Sequence, residues 1–455
     1  MIFVKNMKMK EKIQGTCVDL NHQGMGVVKI DGFPIFVDDM LIDEVAEIKI
    51  EKVGKSYAQG TVIKHLNYST WRVRPICPVY EECGGCNLMH LKYEKQLEFK
   101  KKMAMETLKR IGHLENIPIR EIIGMEEPYY YRNKVQIPFS MDANQTICGF
   151  YKKKSHQIIR LEKCFIQSRL ATEIAKYICQ LANELMIPGY NEKDGRGILR
   201  HVLIRNNVNY QYMVVLVTRE KNFAGKRELV DKLVTKFPAI KSVIQNINKE
   251  LTNVILGKKS LVLNGLDQLT DTLCETKFQF SYNSFFQTNH LQTEKLYNRV
   301  LEYAALSGTE VVIDAYCGVG TIGILLAKKA KKVYGIEIVA EAVTKAIDNA
   351  KLNKMNNIEF ICGKAEIEIE KFTNTAIDVI VLDPPRKGCE TSLIEVIKAK
   401  KIRRVVYVSC NVATLARDLE IFSCDYLVRE VTLIDMFPHT SEVECVCKLT
   451  NRAGN

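Results

Sequence analysis

Along residues 12–66, apolar and polar positions alternate in short runs, GTCVDLN, GMGVVKI, PIFVDDM, EVAEIKIEKV and SYAQGTVIKHL, separated by turn residues. A period of two marks strands buried on one face. Asp31-Gly32 lies between two such runs and predicts a hairpin. Five short strands in so small a segment predict an OB-like closed barrel, since closure removes exposed edges. Residues 87–112 then switch to helical periodicity with many good helix formers. The middle of the chain mixes strands at 133–140, 146–152, 156–161, 198–206, 210–218 and 240–248 with helices at 165–185 and 226–236, an α+β pattern. From Glu310, strand and helix alternate, which predicts a parallel sheet with helices on both faces. Its later strands are expected at 358–362, 378–382 and 405–409. Segments 428–436 and 442–449 would close it as a hairpin, giving seven strands and a Rossmann-like domain.

A chain of 455 residues exceeds one core. The pattern divides it into an N-terminal barrel (1–70), a central α+β domain (71–275) and a C-terminal α/β domain (276–455). The net charge of +12 favours a polyanionic partner over an acidic protein or a membrane. No run of eighteen apolar residues exists, so no membrane span is expected. The first residues, MIFVKNMKMKEK, lack a signal peptide's apolar core, and a cytoplasmic location is expected. The fifteen cysteines then point to metal binding or thiol chemistry rather than disulfides. No obligate protein partner is implied, and the oligomeric state is silent.

Four stretches carry candidate chemistry. The first is Cys77-x5-Cys83-x2-Cys86, where Gly84 and Gly85 let the backbone fold tightly around a bound centre. Three thiolates need a fourth ligand, and Cys164, after basic residues at a strand-to-helix junction, is the best candidate. Zinc and a 4Fe-4S cluster both suit this set, and the spacing is not that of radical enzymes. The second, EVVIDAYCGVGTIGILLAKK, reads as strand, glycine loop and helix. Gly318-x-Gly320-x-x-Gly323, with Glu337 ending the next strand, fits NAD, FAD or S-adenosylmethionine, the acid accepting from ribose hydroxyls. Asp314 before the loop favours the last, because a carboxylate repels a pyrophosphate but tolerates a methionine ammonium. The third is Asp383-Pro384-Pro385-Arg386, a carboxylate with a stiffened backbone at a strand end. The fourth is VVYVSCNVATL, a buried strand that delivers Cys410 at its carboxyl end, where α/β sheets bind ligands. Lys152–Lys154 with His156 and Arg160 form a basic patch, either a solvated turn or a phosphate contact.

Residues 1–70 resemble the TRAM domain, an RNA-binding barrel. In order, the barrel, CGGC, FFQ, DAYCGVG, GIE, DPPR, SCN and PHTSEVE resemble the RNA uracil-C5 methyltransferase family over essentially the whole chain. The long N-terminal half with its cysteines is most similar to the ribosomal-RNA branch, which implies 23S rRNA as partner. The resemblance implies that Gln287, Tyr316, Glu337 and Asp383 hold S-adenosylmethionine. It implies Cys410 as nucleophile, Glu444 as base, and Cys77, Cys83, Cys86 and Cys164 as ligands of a 4Fe-4S cluster. It also implies that the helix at 88–115 packs on the catalytic domain, making the central domain discontinuous. Two local departures are Glu442, where many relatives have His, and Val412 after Asn411, where many carry proline.

The chemistry matches this residue set. Carbon 5 of uracil becomes nucleophilic only after a thiolate adds to carbon 6. It then takes the methyl group, and a base removes its proton so that elimination frees the thiol. The uracil must leave its stack to react, and Phe285, Phe286 and Phe437 are candidate stacking surfaces or core residues. Transfer RNA is the alternative substrate. A cytosine-C5 methyltransferase, an amino-group methyltransferase and a dehydrogenase fit DPPR and SCN less well. A non-enzymatic RNA-binding protein would leave Cys410, Glu444 and Asp383 without roles.

Overall fold

A computed structural model describes residues 7–115 and 117–454. The sequence-based reading against a signal peptide rests partly on residues 1–6, outside the described residues. By compactness the chain divides into two units. The first comprises Met1–Glu81, Gly85–Glu106 and Phe437–Glu442, and the second Glu82–Gly84, Thr107–Met436 and Val443–Asn455.

The first unit carries a closed barrel of five strands in the order Lys12–Leu20, Gly26–Ile30, Phe33–Asp38, Ala58–His65, Val45–Val53. Alternation makes it: in Phe33–Asp38 every second side chain is buried. Val28, Ile35, Val37, Ala46, Ile48 and Ile50 meet inside, each worth roughly 1.5–3 kcal/mol of burial for the larger side chains. The predicted hairpin turns at Asp31 and Gly32, both left-handed at φ 49° and 83°, as a two-residue turn between twisted strands requires. The unit also holds the start of the helix Tyr93–Gly112. Gln96 of this helix accepts from His439 N (2.9 Å), and buried Lys100 donates to the Phe437 carbonyl (3.1 Å). Asn87 Oδ1 accepts from Ser441 N (2.9 Å). These bonds shape the 437–442 loop just ahead of Glu444.

The second unit contains two large sheets. One has seven strands in the order Lys259–Gly265, Ile240–Ile247, Tyr212–Thr218, Leu199–Asn206, Lys134–Asp142, Gln145–Tyr151, Ile158–Arg160. One of its faces packs against the helices Arg169–Glu184 and Lys226–Lys236 through Val135, Ile174, Ile178, Val214 and Leu233. A short hairpin, Leu269–Leu273 with Thr276–Phe280, follows.

The other sheet runs Ile358–Cys362, Lys332–Glu337, Val311–Ala315, Val379–Leu382, Arg404–Ser409, Glu444–Asn451, Tyr426–Ile434, Ile119–Ile123. The first five strands are parallel, and the central three, Val311–Ala315, Val379–Leu382 and Arg404–Ser409, are nearly continuously buried, as a sheet covered on both faces demands, whereas the edge strand Ile358–Cys362 has no fully buried side chain. The expected C-terminal hairpin is present. The sheet has eight strands rather than seven, because Ile119–Ile123 pairs in parallel with Tyr426–Ile434 and covers what would be an open edge. Chain order reverses between Val311–Ala315 and Val379–Leu382, so a crevice opens at their carboxyl ends. Among the described residues no helix is long and apolar enough to cross a membrane.

Candidate active site

Five carboxyl strand ends converge on that crevice, all within the second unit. Cys410 follows Arg404–Ser409, and Glu444 opens the neighbouring antiparallel strand. Their register pairs Ser409 with Cys445, so the next step along both chains sets Cys410 opposite Glu444. Asn411 caps the helix Val412–Phe422, accepting from Ala413 N (2.9 Å) and Thr414 N (3.4 Å). The thiol thus sits at a helix start, whose dipole favours an anion. Burial nevertheless pushes the half-buried Cys410 thiol up to about 11, with the Glu444 and Asp383 carboxylates adding to the rise and Arg386 opposing it. Glu444 is buried.

The Asp383–Arg386 loop is bolted to the cysteine helix. Thr414 Oγ1 donates to the Arg386 carbonyl (3.2 Å), and Arg417 Nη2 to that of Lys387 (3.0 Å). Buried Asp418 accepts from Cys389 N (2.8 Å) and from the Tyr407 hydroxyl (2.6 Å). No motif marked Asp418, and Tyr407 stood in VVYVSCNVATL only as a strand residue; the role of each depends on contacts between distant segments. Asp383 keeps some surface toward the crevice, yet its surroundings raise its pKa to about 7.

The glycine loop joins Val311–Ala315 to the helix Thr321–Ala327. Tyr316 opens it with a left-handed backbone, φ 63°, an arrangement costing on the order of 1 kcal/mol in a bulky residue. The turn is held by Cys317 N, which donates to the Ile336 carbonyl (3.0 Å). Glu337 ties the loop down from the next strand, accepting from Gly318 N (3.1 Å) and Val339 N (2.9 Å). Each oxygen keeps a lone pair for a further donor such as a ribose hydroxyl.

Asp314, next to last in Val311–Ala315, is fully buried, and neither oxygen makes a hydrogen bond of good geometry. Burial, then the charge of Asp383, pushes its pKa up to about 8, with the nearby Gly323 amide opposing the rise. A Cβ on Gly323 would lie 2.8 Å from Asp314 Oδ2, so only glycine leaves the carboxylate its space. Asp314, Tyr316 and Asp383 border a small cavity of about 30 Å³, which shares Phe285, Gly318 and Val319 with a cleft of about 420 Å³ bordered by Glu337. The latter lies within the usual size of small-molecule pockets. Together they fit S-adenosylmethionine: an orphaned acid for the cationic end and Glu337 for the ribose.

Gln287 is buried in the adjoining loop, its carbonyl accepting from Asn133 Nδ2 (3.1 Å). Arg205, buried and singled out by no sequence motif, donates to the Ser281 and Ser284 carbonyls (2.9 and 2.7 Å) and shapes that loop. Phe286 is buried and stacks on Phe280 at 5.1 Å, a packing role, whereas Phe285 is 72% exposed. Phe437 is half-buried in the first unit.

Cys77, Cys83, Cys86 and Cys164 are all half-buried. Among the described residues, no group of three or more His, Cys, Asp or Glu side chains stands in a metal-binding arrangement. No catalytic step is routed through such a centre. In the basic patch, Lys152 pairs with Glu82 (3.2 Å), His156 with Glu192 (2.8 Å) and Arg160 with Asp142 (2.9 Å). These three are partnered surface charges, which favours the solvated-turn reading.

Comparison with known proteins gives consistent relatives. The tRNA (Uracil-5-)-methyltransferase family profile matches residues 92–452. The TRAM domain profile matches residues 18–63. An uncharacterized RNA methyltransferase of Clostridium acetobutylicum is 49% identical over 434 residues, 94% of each chain. One of Oceanobacillus iheyensis is 45% identical over 97% of this chain and 96% of its own. The crystal structure of the Pyrococcus abyssi tRNA (uracil-54, C5)-methyltransferase with S-adenosyl-L-homocysteine superposes with a TM-score of 0.77 at 28% identity, covering 96% of this chain and 99% of the other.

Proposed function

The chain belongs to the tRNA (uracil-5-)-methyltransferase family, S-adenosylmethionine-dependent enzymes acting on RNA, and from that premise we propose that it methylates carbon 5 of uridine in 23S rRNA through a covalent Cys410 adduct. The observation that carries this is the register placing Cys410 opposite Glu444 at the crevice beside Asp383. Bound S-adenosylmethionine supplies an electrophilic methyl group. Gln287, Tyr316, Glu337 and Asp383 hold it, with Asp314 facing its cationic end.

Cys410 releases its thiol proton to solvent, and its Sγ bonds to carbon 6 of the flipped uracil, the electron pair of the 5,6 double bond moving onto the enolate. The resting thiol is protonated at neutral pH, so Arg386 and the helix start must favour the thiolate as substrate arrives. Carbon 5, now enolate-like, takes the methyl group. Glu444 then accepts the carbon-5 proton, and the carbon–sulfur bond breaks to free the thiolate.

The N-terminal barrel (1–70) contributes RNA affinity in this reading, ahead of a central domain (71–275) and the catalytic domain (276–455). At the end of the helix Tyr93–Gly112, a Cβ on Gly112 would stand 2.9 Å from the Ala416 carbonyl, which supports that helix packing on the catalytic domain. The ribosomal-branch reading extends to a 4Fe-4S centre on Cys77, Cys83, Cys86 and Cys164, with zinc as the alternative. Its support is donor type and spacing. Iron and zinc content of the purified protein separates the two.

A second reading, a transfer-RNA uridine, is favoured by the Pyrococcus abyssi likeness. Mapping 5-methyluridine in ribosomal and transfer RNA from a deletion strain, with and without the Cys410→Ala gene, decides. Loss of the mark in 23S rRNA, restored by wild type and not by Cys410→Ala, is expected. Cys410→Ala should lose at least about a thousandfold in methyl transfer. A variant that restores the mark would remove Cys410 from the mechanism.

A further inference from the structure

A separate cavity of about 580 Å³ lies in the second unit and shares no lining residue with the two cavities of the candidate active site. Two helix starts open onto it. Ser168 and Arg169 begin the helix Arg169–Glu184, and Asn289 and His290 begin His290–Ala304. A helix start presents backbone amides and a partial positive charge, and at the second start the Asn289 side chain already accepts from Gln292 N (3.3 Å). The Ser168 hydroxyl does not cap its helix. It is bonded instead to the Tyr212 hydroxyl at 2.6 Å, which leaves the first amides without a side-chain acceptor.

The walls add cations and rings. The Arg169 guanidinium lies over the Tyr130 ring at 4.2 Å, and no carboxylate pairs with it among the described residues. Burial works against a charged His290, but Asp271 at 3.6 Å outweighs it, and the ring's pKa lies above its ordinary value. Asp271 is itself held by Val208 N and Thr272 N (each 2.9 Å). Glu294, 3.8 Å from His290, is the other acid facing this wall.

Tyr210 is 70% exposed, yet its turn is fixed. Asn207 accepts from Gln211 N (2.9 Å), donates to the Thr270 carbonyl (2.8 Å), and its own carbonyl accepts from Tyr210 N (3.0 Å). Tyr130 and Tyr210 both hold left-handed backbones at φ 54°. An aromatic ring presented to solvent on a rigid turn, beside an unpaired guanidinium and amide-rich helix starts, suits a base and a phosphate together.

We propose that this cavity binds one nucleotide of single-stranded RNA, its base against Tyr210 and its phosphate at the Arg169 guanidinium and the uncapped start of the helix Arg169–Glu184. The occupant is a nucleotide flanking the target. Ser284 and Phe285 border the cofactor cleft and Asn289 and His290 border this cavity, so one short segment of chain reaches both. The inference rests on the family's RNA substrate and is independent of the Cys410 chemistry.

The test is fluorescence anisotropy of a labelled dodecauridylate with the full chain and its Arg169→Ala and Tyr210→Ala variants. S-adenosylhomocysteine binding, measured alongside, reports that each variant is folded. Each variant should weaken the oligomer about 5- to 50-fold, as lost base stacking and charge predict, with S-adenosylhomocysteine affinity unchanged. Arg169→Ala should also lower the salt slope by about 0.7, the loss of one phosphate contact. Unaltered oligomer affinity and slope in both folded variants would overturn the proposal. So would uridine monophosphate competing at the oligomer's own dissociation constant, which would mark a site for free nucleotides. Because nothing turns over here, failure of the Cys410 mechanism would appear separately, in the methylation assay alone.

Discussion

Two fully buried carboxylates show the different demands on the two units. In the barrel, Glu44 receives a two-pronged grip from Arg72 (2.6 and 2.8 Å) and backbone donors at Leu41 (2.8 Å) and Ser69 (3.1 Å). Burial alone would raise its pKa, but Arg72 and the amides overturn this, and the carboxyl lies below its ordinary range. At the crevice, Asp314 has no such partner and rises to about 8. A buried charge without partners is costly, and folding had four donors to spend on Glu44. The barrel's acid is part of the architecture. The crevice's acid is left without such donors, as the proposed role toward a cationic ligand requires.

The comparison predicts opposite responses. Arg72→Ala should destabilise the barrel by about 3 kcal/mol, because it strands Glu44. The chain's single tryptophan, Trp71, is the neighbouring residue and reports urea unfolding by fluorescence. A midpoint unchanged from wild type would show that the pair is not structural. Asp314→Asn should leave stability at pH 8 unchanged or raised, while S-adenosylmethionine affinity falls about tenfold, the scale of one hydrogen bond to a charged group. Lost stability with unchanged affinity would reverse the two roles.

A smaller effect follows from protonation. Between about pH 4 and pH 8 the folded chain keeps a proton on Asp314 that the unfolded chain has released, so this site loses stability as pH rises across that window. With Asp314 and Asp383 holding the cofactor as proposed, its positive charge needs their ionised forms, and their pKa values lie near 8 and 7. Affinity should therefore rise several-fold from pH 6 to pH 8, with protons released on binding. Calorimetry in buffers of different ionisation enthalpy checks this, and a pH-independent affinity would contradict it.

Much of the fold was legible in local pattern. The five barrel strands, the helix Lys226–Lys236 and the strand Ile358–Cys362 follow from periodicity and turn residues. Ile119–Ile123 was not, because its strand state comes from an edge supplied some three hundred residues later. Lys259–Gly265 was also missed. It is an edge strand with few buried side chains and shows no clean alternation. At the site, glycines, Asp383 and Cys410 stand out by residue type and place. Asp418, Arg205 and Lys100 act through contacts between distant segments, and single-residue patterns carry no sign of them. The strained Tyr316 is likewise invisible, since nothing about a tyrosine announces a left-handed backbone.

Cys410 and Glu444 are proposed to act as nucleophile and base on one uracil. Glu444→Gln, incubated with 23S rRNA and S-adenosylmethionine, then denatured and digested, tests it most directly by mass spectrometry of the crosslinked peptide. A stable adduct of methylated uracil on the Cys410 peptide is expected, because the carbon-5 proton can no longer leave. Normal turnover by Glu444→Gln without an adduct, or an adduct on a different cysteine, would contradict it.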